Sequence, residues 1–507
     1  GGAITANGGA HEVGGGGGRI AIAYDYVSFS GDDFGGLRNI TAWGGHGGLR
    51  WGSAGTVLLV RSDQARGDLY VDDGIADATS SAYTPLTPIG FGKIVEVTED
   101  TLTADGGFTY MPNGLVGLDI NPNTNQAVTY RITGNTETTI TVDITGKAPL
   151  NVVAGIGDEY VGVYRFDNVY FRRGGYLVLG DHLEVSDTLR IDECGLLTHY
   201  DARSQWESRL EITASAIEIG GTSSINVDQR GCLGGYHADN AGSEGLLPGG
   251  GAGATYRAGA SHGGLGGRDQ GAPNAIYGNI TAPAALGAGG SGGTYSYAGG
   301  DGGGWIQIWA DTLLVEGGIS ANGGPGTGYH AGSGAGGSIY IHTGSLSGGG
   351  TIYANGGGNE IGGGGGRIAI HYTECSLDAS HIMALGGHDI ELGHTAGNGT
   401  VFLRGPGQSF GDLVIDGNLQ ATPSASTPLP EGYTFNNILL RNQACVVADT
   451  PVRVLNMFSL THGSVLTHSP RLESGLVIQA NTIEVDADSA IDITGKGYPG
   501  GYTSANG

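Results

Sequence analysis

Short alternations of apolar and polar residues, separated by clusters of Gly, dominate the chain. Three such triplets, Ile306-Gln307-Ile308, Ile339-Tyr340-Ile341 and Ile368-Ala369-Ile370, follow one another at nearly even spacing. Alternation over a few residues is typical of half-buried strands. A period of about 30 residues with two or three short strands predicts a parallel β-solenoid, whose coils stack about 4.8 Å apart. In such a coil both isoleucines face inward and the central residue of each triplet faces outward.

A second repeat is more than ten times longer. Residues 1–24 recur as 349–372 with 18 of 24 positions identical, and 55–72 recur as 399–416. Further along, 214–236 correspond to 480–502, where the two copies lie much closer together in the chain. The chain is therefore predicted to hold one unit of about 348 residues and nearly half of a second unit, from which about 75 residues are missing.

The missing stretch has a character of its own. Residues 116–146 contain β-rich alternating runs broken by the turn sequences NPNTN and TGNT, with few Gly clusters. This pattern predicts a small antiparallel β domain inserted into the solenoid. The predicted fold is all-β, a right-handed parallel β-helix with long Gly-rich loops, divided as follows: solenoid 1–89, inserted domain 90–163, the rest of the first unit 164–348, and a partial second unit 349–507 that lacks the insert.

Glycine makes up 102 of 507 residues. Each Gly inside a helix or strand costs roughly 0.5–1 kcal/mol relative to Ala, which argues against long helices. Collagen is excluded because there are only 16 Pro and Gly does not recur at every third residue. Two interpretations of the Gly tracts stay open: loops between strands, or ordered polyproline-II-like strands that pack against one another.

The charge balance is acidic, with 49 Asp and Glu against 23 Lys and Arg, for a net charge of −26. This balance argues against nucleic acid as a partner. No apolar run is long enough to cross a bilayer, so no membrane span is predicted. Because the chain begins at Gly1 rather than at Met, we expect a piece of a longer or processed polypeptide.

Four segments together carry a resemblance: GGSIYIHTGSLSGGGTIYANGG (336–357), GGGGGRIAIHY (362–372), YGNITAPAALGAGGSGG (277–293) and LVGLDINPNTNQAVTYRITGNTETTITVD (115–143). Their combination resembles the Gly-rich repeat regions of very large bacterial surface or secreted proteins. The resemblance covers most of the chain, including the inserted segment. It implies an extracellular or cell-surface location, modular repetition and a β-helix-like shape, and it implies no enzymatic activity and no catalytic residue.

The expected function is structural: an extracellular fibre, filament or adhesin stalk in which stacked units supply length. Repetition adds length without new chemistry, and a surface with only three Lys leaves strand edges poorly guarded against self-association. One alternative is a glycan-binding adhesin, with Trp43, Trp51, Trp305 and Tyr340 as the platform. A second alternative is a polysaccharide lyase or hydrolase whose catalytic groups come from separate coils; we expect no enzyme, and no cofactor other than calcium.

Asn7, Asn322 and Asn355 occupy the same position in three ANGG sequences. Asn-Gly commonly supplies the positive φ of a tight turn. Alternatively the three side chains belong to an internal ladder of amides, hydrogen-bonded from coil to coil. The two interpretations are compatible, and the ladder predicts that Asn355→Asp is clearly destabilising.

Pairs of neighbouring aspartates are the candidates for calcium, because hard cations bind several carboxylate oxygens at one point. None of the pairs has the D-x-D-x-D-G spacing, and solvated turns are the alternative interpretation. The weak candidates are Asp72, Asp73, Asp486 and Asp488, together with Asp32 and Asp33. Single recurring histidines, such as His199 and His468 in the two LTH sequences, are too few for zinc and are expected to be structural.

Four cysteines are too few for a disulfide framework in a chain of this length. The simplest pairing joins Cys194 to Cys232 and Cys375 to Cys445 in an oxidising compartment. Four independent small side chains are the alternative.

Two further patterns recur on the surface of the predicted coils. Glycosylation sequons begin at Asn39, Asn279 and Asn398, and in a bacterial source they would be fortuitous. Arg19 and Arg367 follow five glycines in each unit, and Glu12 and Glu360 recur just before those glycines. These side chains are expected to form stacked pairs at the surface, worth about 0–1 kcal/mol each.

Overall fold

The chain is built almost entirely of β-strands. A computed structural model describes residues 3–25, 39–75, 82–105, 107–204, 206–388, 393–418 and 425–498. Within these ranges the helical segments are one four-residue α-helix, Leu150–Val153, and two 3-10 turns, Thr294–Ser296 and Ala379–His381. The predicted all-β class is confirmed.

Eight strands of the described residues join one continuous ladder. Neighbouring members pair in parallel, as Ile306 does with Ile339 and Ile339 with Ile368. All three isoleucines are fully buried. Side chains alternate between the two faces of a strand, so these isoleucines lie side by side on the inner face of the ladder. In order along the ladder the strands are Asp68–Asp72, Asn168–Arg172, His182–Ile191, Leu210–Ile219, Trp305–Val315, Ser338–Ser347, Arg367–Cys375 and Thr400–Arg404.

A second parallel ladder of short strands faces the first across the core. Ile225, Ile319 and Ile352 stack along it in register and are fully buried. Its members are Thr84–Pro85, Tyr176–Val178, Leu196–Thr198, Ser224–Asn226, Gly318–Ser320, Thr351–Tyr353 and Ile382–Met383. Among the described residues, the largest apolar cluster fills the space between the two ladders and continues into the strands between residues 91 and 166.

An antiparallel hairpin interrupts the long ladder near its end. Thr400–Arg404 pairs antiparallel with Asp412–Asp416, so that Val401 lies opposite Val414 and Phe402 opposite Leu413. Val401 and Val414 pack on the core of the preceding coils, whereas Phe402 and Leu413 belong to a separate apolar cluster. Since adjacent residues of a strand point to opposite faces, the second core lies on the other face of this sheet.

The first unit contains the equivalent hairpin, between Thr56–Arg61 and Asp68–Asp72. Here Leu58 packs on the largest apolar cluster, which we call the main core, while Val57 belongs to an N-terminal cluster with Ile20 and Ile22. The apolar cores thus change face at both hairpins. The proposed boundary at 348/349, by contrast, falls inside the continuous parallel ladder.

Ala369 departs from the expected outward orientation. It is fully buried and lies next to Phe402 in the register, on the face that the second core covers. The expectation that the central residue of this triplet faces solvent is therefore wrong, because it assumes that every coil has its core on the same face.

The chain ends contain shorter ladders. After the second hairpin, Asp412–Asp416 pairs in parallel with Asn437–Arg441, which is followed by Met457–Leu460 and Thr482–Val485. Before the first hairpin, Arg19–Tyr24 pairs in parallel with Thr56–Arg61. The remaining short strands, all paired in parallel, are Ile4–Thr5 with Ile40–Thr41; Thr427–Pro428, Cys445–Val447, Val465–Thr467 and Ala490–Ile491; and Thr434–Phe435, Val452–Val454 and Ile478–Gln479.

Six strands between residues 91 and 166 close into an antiparallel barrel. The last of them also pairs in parallel with His182–Ile191, so the barrel shares a strand with the long ladder. A fully buried carboxylate, Asp181, joins the two bodies by accepting the backbone amides of Ile89 and Gly90 at 3.1 and 2.9 Å. The barrel strands are Phe91–Val97, Thr101–Ala104, Asp119–Asn121, Tyr130–Asn135, Thr139–Asp143 and Glu159–Phe166.

Glycine runs form an ordered bundle beside the main core. Successive amides donate to carbonyls of different neighbouring runs: Gly363 to Gly357 at 2.9 Å, Gly364 to Ala260 at 2.8 Å, Gly365 to Gly397 at 3.0 Å and Gly366 to Ala354 at 2.7 Å. The donor direction thus returns to the same neighbouring run after three residues, which is the periodicity of a polyproline-II strand. A Cβ on Gly363 or Gly364 would lie 2.0 Å from a backbone oxygen. These Gly tracts are packed strands, so the expectation of loops is wrong for them.

Candidate functional site

A ladder of side-chain oxygens connects the residues that follow successive strands of the short parallel ladder. Asp228 Oδ1 accepts the amide of Asn322 at 2.6 Å, and Asn322 Oδ1 accepts the amide of Asn355 at 2.8 Å. Asn355 Oδ1 accepts the next amide, that of Leu385, at 2.7 Å. Each rung uses one side-chain oxygen and one backbone N–H rather than two amide side chains.

In the first unit Asn7 makes the same contact, its Oδ1 accepting the amide of Trp43 at 2.9 Å. The backbone of Asn7, Asn322 and Asn355 lies outside the left-handed region. The tight-turn interpretation with positive φ is therefore wrong at these three positions. What they share is an acceptor aimed along the stacking direction.

The first pair of calcium candidates is engaged by protein groups. Asp72 accepts from Arg173 Nε and from the amide of Gly74, both at 2.9 Å. Asp73 is buried and accepts the amide of Gly44 at 3.0 Å, and burial raises the pKa of its carboxyl. The two carboxylates therefore stabilise local structure in this conformation.

The second pair lies in a turn near the C-terminal end. Asp486 Oδ1 accepts the amides of Asp488 and Ser489 at 3.2 and 2.9 Å, and its Oδ2 accepts the amide of His462 at 2.6 Å. Across the part of the chain that the structure describes, no three His, Cys, Asp or Glu side chains are grouped so as to hold a metal ion. Asp32 and Asp33 lie outside the described residues.

The recurring histidines have structural contacts. His199 is buried, its Nδ1 donates to the carbonyl of Tyr200 at 2.7 Å, and its Nε2 accepts the amide of Trp305 at 3.3 Å. Burial lowers the pKa of His199 to about 3, so the ring is neutral. In the second unit His468 Nδ1 makes the same contact with the carbonyl of Ser469 at 2.8 Å.

Arg367 and Arg19 occupy equivalent positions and differ completely in environment. Arg367 is 0% exposed, donates from Nε to the carbonyl of Tyr277 at 2.8 Å, and donates from Nη1 to Thr400 Oγ1 at 3.1 Å. Burial lowers its pKa to about 10. Arg19 is exposed and donates to Thr87 Oγ1 at 3.3 Å.

The expected Arg–Glu surface pair is wrong in the second unit. Arg367 is buried beneath the segment that contains Tyr277, whereas Glu360 accepts the backbone amide of His330. The covering segment comes from a distant part of the chain, which the local motif does not encode.

All four cysteines are free thiols, so neither proposed disulfide is formed. Cys232 is buried in a small cluster with Ala202 and Leu286, while Cys194 is only partly buried and its amide contacts Thr222. Cys375 lies at the exposed end of a long strand, and Cys445 belongs to a different sheet. The members of each proposed pair thus have different structural neighbours.

The three sequons differ in accessibility. Asn39 and Asn279 are exposed, and Asn279 Oδ1 accepts from the amide and the hydroxyl of Thr281 at 2.7 and 2.9 Å. Asn398 is buried and its Oδ1 accepts the amide of Gly386 at 3.0 Å. Glycosylation of Asn398 in the folded protein is therefore excluded.

The aromatic residues proposed as a glycan platform are mostly covered by neighbours. The guanidinium of Arg173 lies 5.3 Å from the ring centroid of Trp43, and that of Arg209 lies 5.2 Å from the ring of Trp305. Trp51 is partly buried, with its ring 5.0 Å from that of His46. Tyr340 is partly buried as well. The neighbouring ring of Trp309 is more accessible to solvent than that of Tyr340.

Trp309 is 39% exposed on the outer face of the long ladder. Its indole stacks on His342 with centroids 4.5 Å apart and a 26° interplanar angle. The ring centroid of His371 lies 6.0 Å from that of His342, and the rings of Tyr340 and Trp309 are nearly perpendicular with centroids 5.9 Å apart. The strand register places Thr213, Trp309, His342 and His371 in one column.

The sequence interpretation missed Trp309, although a signal was present. Alternation about the inward Ile306 and Ile308 places residues 305, 307 and 309 on the outer face, and only the last is stacked on an aromatic ring in register, that of His342. Trp309 and His342 each follow their triplet directly, so the spacing between the first two triplets already predicted that the two rings are neighbours.

Comparison of the chain with protein-family models, with curated proteins and with solved structures finds no match. No helix within the described ranges is long and apolar enough to cross a membrane.

Proposed function

We propose that this chain is an extracellular structural repeat protein, which forms the shaft of a surface fibre, filament or adhesin stalk by stacking of β-solenoid units. The support comes from one comparison within the molecule. Ile217 and Ile219 are buried in the first unit, whereas their counterparts Ile483 and Val485 are 46% and 42% exposed in the second. The difference is that Trp305–Val315 covers the first pair.

The opposite end gives the same contrast. Arg19–Tyr24 has exposed and partly buried residues in alternation, whereas the nearly identical Arg367–Tyr372 is covered by Ser338–Ser347. No strand in the described part of the chain pairs with the outer edge of Arg19–Tyr24 or of Thr482–Val485. Open parallel edges with apolar inward positions favour addition of a further strand. Each of these two edges can therefore accept a further strand, from another repeat unit or from a second copy of the chain.

We further propose that each segment winds as a right-handed parallel β-solenoid. Connections between parallel strands of one sheet are right-handed in nearly all proteins. At the hairpin of Thr400–Arg404 with Asp412–Asp416 the strand direction reverses while the ladder advances. A constant hand then requires the core to move to the opposite face, where Phe402 and Leu413 are buried.

Two single-edge variants of the full chain test the stacking. Ile22→Lys places a charge in the N-terminal edge strand, and Ile483→Lys does so in the C-terminal one; an inward-pointing charge blocks strand addition. We expect the wild-type chain to form rods with a regular axial repeat in electron micrographs. In sedimentation velocity each variant alone should stay monomeric, and their mixture should form dimers and stop there.

Ile156→Lys is the matched control, because Ile156 is exposed and lies just before the barrel strand Glu159–Phe166, outside both edge strands. This variant should assemble like the wild type. A wild-type chain that stays monomeric at its highest soluble concentration, or assembly that survives both edge substitutions, would overturn the proposal.

A further inference from the structure

A shallow groove crosses the outer face of the long ladder beside Trp309. It forms where the strands Leu210–Ile219 and Trp305–Val315 bend, since their register pairs skip Ser215 and Asp311. The groove is lined by the hydroxyls of Thr213 and Ser215, the carboxylates of Glu184 and Asp311, and the rings of Trp309 and His342. An exposed aromatic face is thus flanked by hydrogen-bonding groups on three successive coils.

The aromatic wall is held in place before any ligand arrives. Trp309 stacks on His342 and meets the edge of Tyr340, so its indole is supported on two sides. Tyr340 is partly buried on the same ladder. Because Trp309 has little rotamer freedom left to lose, stacking of a ligand on its open face costs little conformational entropy.

The charges of the groove select among ligands. Its lining includes two carboxylates and neither Lys nor Arg, and the whole chain carries a net charge of −26. Arg165 lies opposite Glu184 on the neighbouring strand, and the two charges neutralise each other, with Nε 2.5 Å and Nη2 3.3 Å from the carboxylate oxygens. Asp311 is exposed and presents acceptor oxygens to the groove. Polyanions are repelled, whereas ligands rich in neutral hydroxyl donors match these acceptors.

The shape of the groove narrows the class of ligand further. The groove lies across coils on the open face of a sheet, rather than in an enclosed apolar cavity of the kind that buries most of a small hydrophobic ligand. A linear molecule with one apolar face and several hydroxyls satisfies the aromatic wall and the polar rim together.

We propose that this groove binds a neutral oligosaccharide chain, with the C–H face of one pyranose ring stacked on Trp309. Its hydroxyl groups donate to Asp311 and to the hydroxyl oxygen of Ser215, which itself donates to the carbonyl of Ser186 at 2.8 Å. Thr213, whose hydroxyl is hydrogen-bonded to His182 at 3.0 Å, lies beside them. This site goes beyond the structural role proposed above and does not depend on it, since it lies in the middle of the ladder and away from both edges.

The test uses the full chain and three neutral hexasaccharides as probes: cellohexaose, laminarihexaose and mannohexaose. A hexamer of galacturonate serves as the anionic comparison. Binding is measured by isothermal titration calorimetry, with quenching of intrinsic Trp fluorescence as a second readout. We expect at least one neutral hexamer to bind and the galacturonate hexamer to bind at least tenfold more weakly.

Trp309→Ala should weaken the binding at least tenfold, and Trp309→Phe should retain part of it. Because Trp309 is a surface residue, the melting temperature of each variant should stay close to that of the wild type, which separates lost binding from lost structure. Trp51→Ala is the control and should bind like the wild type. Absence of binding by all three neutral hexamers, preference for the galacturonate hexamer, or unchanged affinity in Trp309→Ala would each overturn the proposal.

Discussion

The side-chain oxygen of Asn322 accepts the backbone amide of Asn355, one coil further along, at 2.8 Å. The same geometry recurs from Asp228 to Asn322 and from Asn355 to Leu385. Since Asp228 supplies one of the three acceptors, the ladder requires an oxygen and does not require an amide. These hydrogen bonds from backbone amides to side-chain oxygens connect successive short strands without an internal row of paired amide side chains.

Asn355→Asp should consequently be tolerated, with a change in unfolding free energy within about 0.5 kcal/mol. Asn355→Ala should cost about 1–3 kcal/mol, because it leaves the amide of buried Leu385 without its acceptor. Denaturant titrations of both variants measure the difference. Strong destabilisation by Asp would instead support the all-amide ladder that the sequence alone suggested.

Two equivalent glycines provide a matched test of the Gly bundle. A Cβ on Gly363 would lie 2.0 Å from the carbonyl oxygen of Gly334, whereas the nearest atom to a Cβ on Gly15 is 3.4 Å away. Gly363→Ala should therefore destabilise by about 3 kcal/mol or more, since neighbouring backbone has to move. Gly15→Ala should change stability by about 0.5 kcal/mol or less. Equal effects of the two substitutions on the melting temperature would contradict the packed bundle.

Asp181 makes stability depend on pH. Burial raises the pKa of its carboxyl to about 7, although the amides of Ile89 and Gly90 favour the charged form. The pKa of Asp181 is higher in the folded than in the unfolded chain, so protonation of this carboxyl stabilises the folded state. This contribution to the free energy of unfolding is complete below pH ~4 and is lost as the pH rises through about 7. Each pKa unit corresponds to about 1.4 kcal/mol.

Calorimetry of the wild type and of Asp181→Asn at several pH values isolates this effect, because Asn does not titrate. The wild-type melting temperature should rise relative to that of the variant as the pH falls from about 8 to about 4.5, because Asp181 becomes protonated in the folded state over this range. His199 and the other buried histidines contribute equally to both proteins and cancel. A difference that is constant or grows with pH would show that Asp181 is charged in the folded state.

The thiols differ in accessibility, which labelling detects. Cys375 is exposed, whereas Cys232 is buried and burial raises the pKa of its thiol well above the usual value. In native protein a maleimide should modify Cys375 before Cys232, which should react only after unfolding, because the reagent reaches the exposed thiol and not the buried one. Peptide mass spectrometry reads the order. Protein purified without reductant that shows no reactive thiol in denaturant would indicate disulfides instead.

Local alternation predicted the buried positions of the long strands well. Ile306, Ile308, Ile339 and Ile341 point inward and are fully buried, because the two-residue period of a strand depends only on neighbouring residues. The pattern could not predict what covers the outer face. Ala369 and Gln307 occupy equivalent positions, yet only Ala369 is buried beneath a second core.

The same limit applies to the candidate site residues. Arg19 and Arg367 share the sequence GGGGGRIAI, and their burial differs because residues near Tyr277 fold over Arg367 alone. Trp309 becomes a platform only because the register of the long ladder brings His342 beside it. Contacts between distant segments decide both cases, and a short motif carries no information about them.

In the proposed fibre, the hairpins of the long ladder would also determine how successive units are oriented. Reversal of strand direction, combined with a core that moves to the other face, is equivalent to a half-turn about the direction in which the ladder advances. Two consecutive units of a fibre would thus be related by a two-fold screw, and orientation would be restored after every second unit. Any surface feature carried once per unit would then alternate between opposite sides of the shaft, so that such a fibre presents it in both directions.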